Sequence, residues 1–183
     1  MIDTNVLVVA DLFSNSEKNN EISKCCIEAC YKVIRHVMEN GGLVIDENGE
    51  IFKEYRDQYK KSHLDKGQPG PASEFIKWVM KWQWQWQPNQ VTRVKIHRLN
   101  DTYKEFPEHD ELEKDFDFDN SDRKFVAVAN AYPGTHKPPI FQATDVKWWG
   151  WKEPLCDVGI KVRFLCPDYV KEKYPKKKSK PKT

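Results

Sequence analysis

Four acidic residues, Asp3, Glu54, Asp122 and Asp145, stand where predicted strands end or predicted helices begin. Asp3 closes a short apolar strand, and Asp145 follows another predicted strand. Glu54 lies one turn into the helix after a second strand, and Asp122 opens a helix behind Ser121, a residue type that favours the N-cap. Strand ends and helix starts at one edge of a parallel sheet face the same crevice, so these side chains are expected to lie together.

Clustered carboxylates repel one another and stay ionised together only beside a cation. Hard divalent ions prefer oxygen ligands, and Mg²⁺ is bound by a few carboxylates with waters and phosphate oxygens. One or two such ions activate a water and stabilise the leaving oxygen of a phosphodiester. Each acid alone is equally well explained by a favourable position at a helix N-terminus. All four in this order predict a site that hydrolyses phosphodiester bonds.

These acids can meet only if helices and strands alternate along the chain. Apolar residues recur at helical spacing in residues 22–37, 51–61, 73–86 and 121–129. Short apolar runs at residues 43–45, 139–143 and 160–166 predict buried strands, and residues 91–99 alternate as a strand would. Such alternation predicts an α/β fold with a central, mostly parallel sheet covered by helices on both faces.

Five segments of this pattern resemble the PIN domain, a family of metal-dependent nucleases. They are residues 2–7 (IDTNVL), 51–55 (IFKEY), 121–129 (SDRKFVAVA), 143–145 (ATD) and 159–162 (GIKV). The resemblance covers about residues 2–166 and implies a PIN-like three-layer α/β/α fold. In that family several apolar residues precede the first Asp, whereas only Met1 and Ile2 precede Asp3. The central strand is therefore either unusually short or begins upstream.

The resemblance also implies the chemistry and its cofactor, Mg²⁺ or Mn²⁺, with RNA as the substrate. The implied catalytic and metal-binding residues are Asp3, Glu54, Asp122 and Asp145. Thr4 and Asn5 are implied to order the acids and the attacking water, and Thr144 has a similar supporting part.

The charge of the chain is distributed unevenly. Residues 171–183 contain seven Lys and one Glu and carry +6, so the rest of the chain, which totals +2 with them, carries −4. Residues 105–122 hold nine carboxylates and one Lys. We predict a nuclease domain at residues 1–168 and a basic, disordered tail at residues 169–183 that attracts phosphate backbones. The lysines expected to contact nucleic acid are Lys124, Lys147, Lys176, Lys177 and Lys178.

Aromatic residues are concentrated in residues 75–86. Phe75, Trp78, Trp82 and Trp86 share a helical stripe, which favours packing in the core or at a homodimer interface over stacking on bases. Trp84 falls outside the stripe and is the best candidate for base stacking.

Composition restricts the class of protein. With 39% hydrophobic and 32% charged residues, a packed domain with a charged surface is expected, and no apolar run is long enough to span a membrane. The five cysteines contain no C-x-x-C pair, and no secretory signal is visible at residue 1. We therefore expect reduced thiols and a cytoplasmic location.

These observations favour a prokaryotic endoribonuclease, either a toxin held by an antitoxin or a defence effector restrained by a regulatory protein. Two alternatives remain open. One is a nuclease that cuts DNA flaps or single strands, and the other is a non-catalytic PIN-like module that binds RNA or protein. Retention of all four acids argues against the second alternative.

Overall fold

The computed structural model describes residues 1–13, 21–63, 70–85, 89–109, 112 and 120–174. Within these residues the chain is a mixed α/β protein, so the predicted fold class is confirmed at that level. Its helices are α1 Thr4–Asp11, α2 Lys24–Asn40, α3 Glu50–His63, α4 Pro71–Trp82, α5 Asn120–Ala131, α6 Lys147–Asp157 and α7 Pro167–Lys173. None of these helices combines the length and the apolar character needed to cross a membrane.

The strands of the described residues are short and pair in twos. They are β1 Leu43–Asp46, β2 Val91–Val94, β3 Arg98–Leu99, β4 Thr102–Tyr103, β5 Ile140–Gln142 and β6 Val162–Phe164. β1 pairs with β2 and β5 with β6, both in parallel, while β3 and β4 form an antiparallel hairpin. The prediction of one strand at residues 91–99 is wrong, because β2 ends at Val94 and Arg98–Leu99 belong to the separate hairpin, which turns at Asn100 with φ 53°.

The first strand is reduced to a single pairing. Ile2 forms a parallel bridge with Phe141, and helix α1 begins two residues later. The Asp3 N–H donates to the Phe141 carbonyl, and the Phe141 N–H donates to the Met1 carbonyl, both at 3.0 Å. The Tyr55 hydroxyl of α3 donates to the Ile2 carbonyl at 2.5 Å. The short first strand is thus anchored by β5 and by α3.

The apolar run that follows Asp3 is the helix α1, which packs against α2, α3, α4 and β5. Val6 and Ala10 are fully buried, and Leu7 and Val9 are nearly so. Burial of these side chains stabilises α1 by roughly 25 cal/mol per Å² of apolar surface removed from water. This packing places the start of α1, and with it Asp3, beside β5.

Asp46, the last residue of β1, fixes the start of α3. Its side chain is buried and accepts hydrogen bonds from the N–H groups of Glu50 and Ile51, at 2.7 and 2.8 Å. A carboxylate in this position satisfies two helix N–H groups that have no partner within the helix. Gly49 supplies the positive φ, 78°, that the turn before the helix requires. Glu54 follows one turn further along α3.

The aromatic stripe of α4 packs against the core, as the packing alternative predicted. Phe75 is fully buried, and Trp78 and Trp82 are partly buried against the hydrophobic core. Trp86 lies outside the described residues. α4 covers the first part of the Trp-rich stretch and ends at Trp82, and Trp84 is 73% exposed.

The expectation of reduced thiols is wrong for one pair of cysteines. Cys26 of α2 and Cys166, which precedes α7, form a disulfide with their Cα atoms 5.0 Å apart. Spacing motifs could not reveal this pair, because 140 residues separate the two cysteines. Cys30, one turn along α2, is buried, and burial raises the pKa of its thiol to about 12. The disulfide joins α2 to the C-terminal part of the domain.

Folded structure continues past the predicted domain boundary at residue 168. Val170 of α7 is fully buried, and the Tyr174 hydroxyl lies against Gly150, where a Cβ would come within 2.5 Å of it. Residues 175–183, which include Lys176, Lys177 and Lys178, lie outside the described residues.

Candidate functional site

A cleft of about 290 Å³ brings the four predicted acids together. It is lined by Asp3, Thr4, Asn5, Val8, Glu54, Gln58, Ser121, Asp122, Thr144, Asp145 and Lys147. The acids come from four separate segments of the chain, at the start of α1, within α3, at the start of α5 and after β5. The three supporting residues of the sequence analysis also line this cleft.

Asp3 is the most buried acid of the cleft. It is 5% exposed. Burial raises the pKa of its carboxyl well above the ordinary value, and the negative charges of Asp122, Glu54 and Asp145 raise it further. A hydrogen bond from the Asn5 N–H to Oδ1 at 2.9 Å opposes this shift. The repulsion expected between clustered carboxylates is therefore present at Asp3.

Asn5 connects α1 to β5 through its side-chain amide. Its Nδ2 donates to Asp3 Oδ1 and to Gln142 Oε1, each at 2.5 Å. Its Oδ1 accepts from the N–H of Ala143 at 2.8 Å and from that of Thr144 at 3.4 Å. One side chain thus fixes the orientation of Asp3 and the path of the backbone that leads to Asp145.

Replacing Asn5 with Ala is expected to lower the free energy of unfolding by about 1–3 kcal/mol, because buried groups lose their partners. Asn48→Ala is the matched control, since Asn48 donates one side-chain hydrogen bond, to the Ile96 carbonyl at 3.1 Å. Urea denaturation of both variants measures the difference. An Asn5→Ala protein no less stable than Asn48→Ala would contradict the linking role of Asn5.

Glu54 enters the cleft with both carboxylate oxygens engaged. The Thr4 hydroxyl donates to Oε1, and the Lys124 ammonium donates to Oε2. Lys124 also donates to the Ser121 carbonyl at 2.7 Å. Neither Asp46 nor Glu50 lines the cleft, since Asp46 caps α3 and Glu50 accepts from the Tyr103 hydroxyl at 2.6 Å. Glu54 is thus the acid that α3 contributes.

Asp145 and Lys147 occupy the rim of the cleft at the start of α6. Asp145 Oδ1 accepts a hydrogen bond from the Lys147 N–H at 3.0 Å, which orients the carboxylate at the beginning of the helix. The Lys147 side chain is exposed and lines the cleft. It therefore presents a positive charge beside the four negative ones.

The other residues predicted to contact nucleic acid have different surroundings. Lys124 is 6% exposed and its ammonium faces Glu54 rather than solvent. Trp84 is exposed as expected, but the Arg93 guanidinium lies over its ring, 4.4 Å from the centroid. A base could stack only on the opposite face of that ring.

Three residues that line the cleft are absent from the predicted set. Gln58 follows Glu54 by four residues on α3, and Val8 follows Thr4 by four residues on α1. Residues four apart share a helix face, so this spacing was a usable signal. Ser121, expected as an N-cap, instead lies within the first turn of α5.

The cleft and the cysteines differ in their capacity to hold a metal. Within the described residues, the sulfurs of Cys26, Cys30 and Cys166 are the one group of three potential ligand atoms within 4.8 Å of one another. Two of these sulfurs form the disulfide, and thiolates suit soft ions rather than Mg²⁺ or Mn²⁺. The carboxylates of the cleft supply oxygen ligands, which suit the hard ions. Within the described residues no three of these carboxylates meet that distance, so an ion shared by three of them requires their side chains to move.

Comparison with protein-family models, with curated proteins and with solved structures found no match to this chain.

Proposed function

We propose that this protein is a metal-dependent endoribonuclease that hydrolyses phosphodiester bonds in RNA. The observation that carries the proposal is the cleft, in which acids from four separate segments meet and raise the pKa of Asp3. Without a bound cation, repulsion between these carboxylates only destabilises the folded protein. The PIN-like three-layer arrangement and the setting of a prokaryotic toxin or defence effector belong to the same proposal.

The donor set of the cleft fits Mg²⁺ or Mn²⁺, because four carboxylates line it and supply oxygen ligands. Asp3, Glu54, Asp122 and Asp145 are the candidate ligands for the ions. When bound, a divalent ion supplies an activated water and stabilises negative charge on the phosphate oxygens.

The other side chains of the cleft orient these acids and the substrate. Asn5 holds Asp3 Oδ1, the Lys147 N–H holds Asp145 Oδ1, and Thr4 holds Glu54. The exposed Lys147 ammonium lies where it can attract a phosphate group to the rim of the cleft. Burial and the neighbouring carboxylates raise the pKa of Asp3, so a cation in the cleft binds in competition with a proton on this carboxyl.

Cleavage assays on labelled RNA and DNA, with Mg²⁺, with Mn²⁺ and with EDTA, test the proposal. We expect internal cleavage of RNA with either ion and none with EDTA. Cleavage of DNA alone would replace the proposal with the DNA nuclease. No cleavage together with no Mn²⁺ binding would favour the non-catalytic module.

A cytoplasmic location and a protein partner that restrains the enzyme are part of the proposal. Disulfides are uncommon in reducing compartments, so the bond between Cys26 and Cys166 is a separate test of that location. Free-thiol labelling of protein taken directly from cells would reveal whether the bond forms there.

Removing the basic residues 175–183 is expected to weaken RNA binding and leave the cleavage rate at saturating RNA nearly unchanged. The removed residues contain five lysines, and each lost phosphate contact lowers the slope of log affinity against log salt by about 0.7 for a single strand. The truncation keeps Tyr174, which packs against Gly150. Binding isotherms at several salt concentrations provide the measurement.

A full-length variant with the same five lysines changed to Gln is the matched control for this truncation. It should reproduce the lower salt slope, since the effect is attributed to charge. An unchanged slope in both variants would assign the tail to another role, such as docking of a protein partner.

A further inference from the structure

We infer that Lys124 is a built-in cation that occupies the place of a second metal, so that the cleft binds one divalent ion, on Asp3, Asp122 and Asp145. This inference rests on the proposed function and concerns how that site is loaded. Lys124 is a positioning residue, because it acts through Glu54.

The contacts of Glu54 set it apart from the other acids. Its Oε2 accepts from the Lys124 ammonium and its Oε1 from the Thr4 hydroxyl. Asp3 and Asp145 instead receive their hydrogen bonds on Oδ1, from Asn5 and from the Lys147 N–H. Compared with Asp3 and Asp145, Glu54 is therefore the acid that binds the protein through both of its oxygens.

The surroundings of Lys124 fix its ammonium group next to Glu54. The residue is 6% exposed, and its ammonium is fixed between Glu54 and the Ser121 carbonyl, which it contacts at 2.7 Å. A buried ammonium is retained as a charge only where an opposite charge or good acceptors compensate its desolvation. Glu54 supplies that compensation, so the two side chains stabilise each other.

The charges of the cleft favour the binding of a single divalent ion in addition to the Lys124 ammonium. Two-metal sites hold their ions about 3.5–4 Å apart and need carboxylates for both. Here Lys124 neutralises Glu54, which leaves three carboxylates for a single divalent ion. A second divalent ion in the cleft would lie near the buried Lys124 ammonium, and the two positive charges would repel each other.

Titration with Mn²⁺, followed by the EPR signal of the free ion, counts the ions that each protein binds. We expect one ion for the natural chain and two for Lys124→Gln, in which Glu54 is released as a ligand. Lys137→Gln is the matched control and should bind one. Lys137 is likewise held by protein acceptors, Asn130 Oδ1 at 2.7 Å and the Val158 carbonyl at 2.6 Å, but it does not line the cleft.

Glu54→Gln provides a second test that does not depend on the folding of Lys124→Gln. It should keep one Mn²⁺ with less than about a fivefold loss of affinity, whereas Asp122→Asn should lose at least tenfold. Two ions bound by the natural chain, or equal losses in Glu54→Gln and Asp122→Asn, would overturn the inference alone. No Mn²⁺ bound by the natural chain would overturn the proposed function itself.

Discussion

Replacing Asp3 with Asn is expected to abolish metal-dependent RNA cleavage while the fold is retained. The exchange removes one negative charge but little volume, and the amide oxygen can still accept from Asn5, as Asp3 Oδ1 does at 2.9 and 2.5 Å. Loss of a ligand to the catalytic ion removes several kcal/mol of transition-state stabilisation, which corresponds to a loss of about a thousandfold or more in rate. Single-turnover cleavage of labelled RNA measures it.

The same variant has an expected effect on stability, with a defined sign. Folding raises the pKa of Asp3 above 3.8, so the folded state holds the proton more tightly than the unfolded state. The stability contributed by this carboxyl is complete below pH 3.8 and declines as pH rises towards the folded-state pKa. Without metal, Asp3→Asn should therefore match or exceed the natural protein in melting temperature at pH 7.

Asp101→Asn, at an exposed position in a turn, is the control for both measurements and should change neither. A clear fall in melting temperature for Asp3→Asn alone would show that Asp3 has a structural role beyond its charge. Undiminished cleavage by Asp3→Asn would place the catalytic ion elsewhere.

Reduction of the Cys26–Cys166 disulfide is expected to lower the free energy of unfolding by about 2–4 kcal/mol. The bond closes a loop across a separation of 140 residues, and cross-links that close long loops remove the most freedom from the unfolded chain. Urea denaturation with and without a reductant measures the change, and a Cys26→Ser/Cys166→Ser double variant should be insensitive to the reductant.

Cys156→Ser is the matched control, because Cys156 is an exposed free cysteine. It should behave as the natural protein does under both conditions. If reduction leaves the denaturation midpoint of the natural chain unchanged, the two thiols are not bonded in solution and contribute only as small buried side chains.

The acids of the cleft could be predicted because the sequence places each of them at the end of a predicted strand or near the start of a predicted helix. Asp3 and Asp145 come directly after apolar segments, and Asp122 lies in the first turn of a helix with an apolar face. Strand ends of a parallel sheet share one edge, so the juxtaposition needs no knowledge of long-range packing. The role of Lys124 could not be predicted in this way, since a sequence gives its charge but not the direction of its side chain.

Helix α6 was not predicted because two of its residues disfavour helices. Gly150 and Pro154 both lie inside it, and each destabilises a helix interior. Trp148, Trp151 and Leu155 are buried along one face of the helix and favour it through packing. Tertiary contacts therefore outweigh local preference here, and the disulfide is a second feature that depends on distant parts of the chain.

The single pairing between Ile2 and Phe141 bears on the motions of the molecule. Ile2 pairs with Phe141 of β5, and within the described residues no strand pairing joins the β5–β6 pair to the β1–β2 pair, so the two pairs are held together by the helices packed around them. Asp3 immediately follows one partner of the bridge and Asp145 lies four residues after the other. Opening of the two hydrogen bonds at Phe141 would therefore change the distance between these two acids without breaking the pairing of β1 with β2 or of β5 with β6.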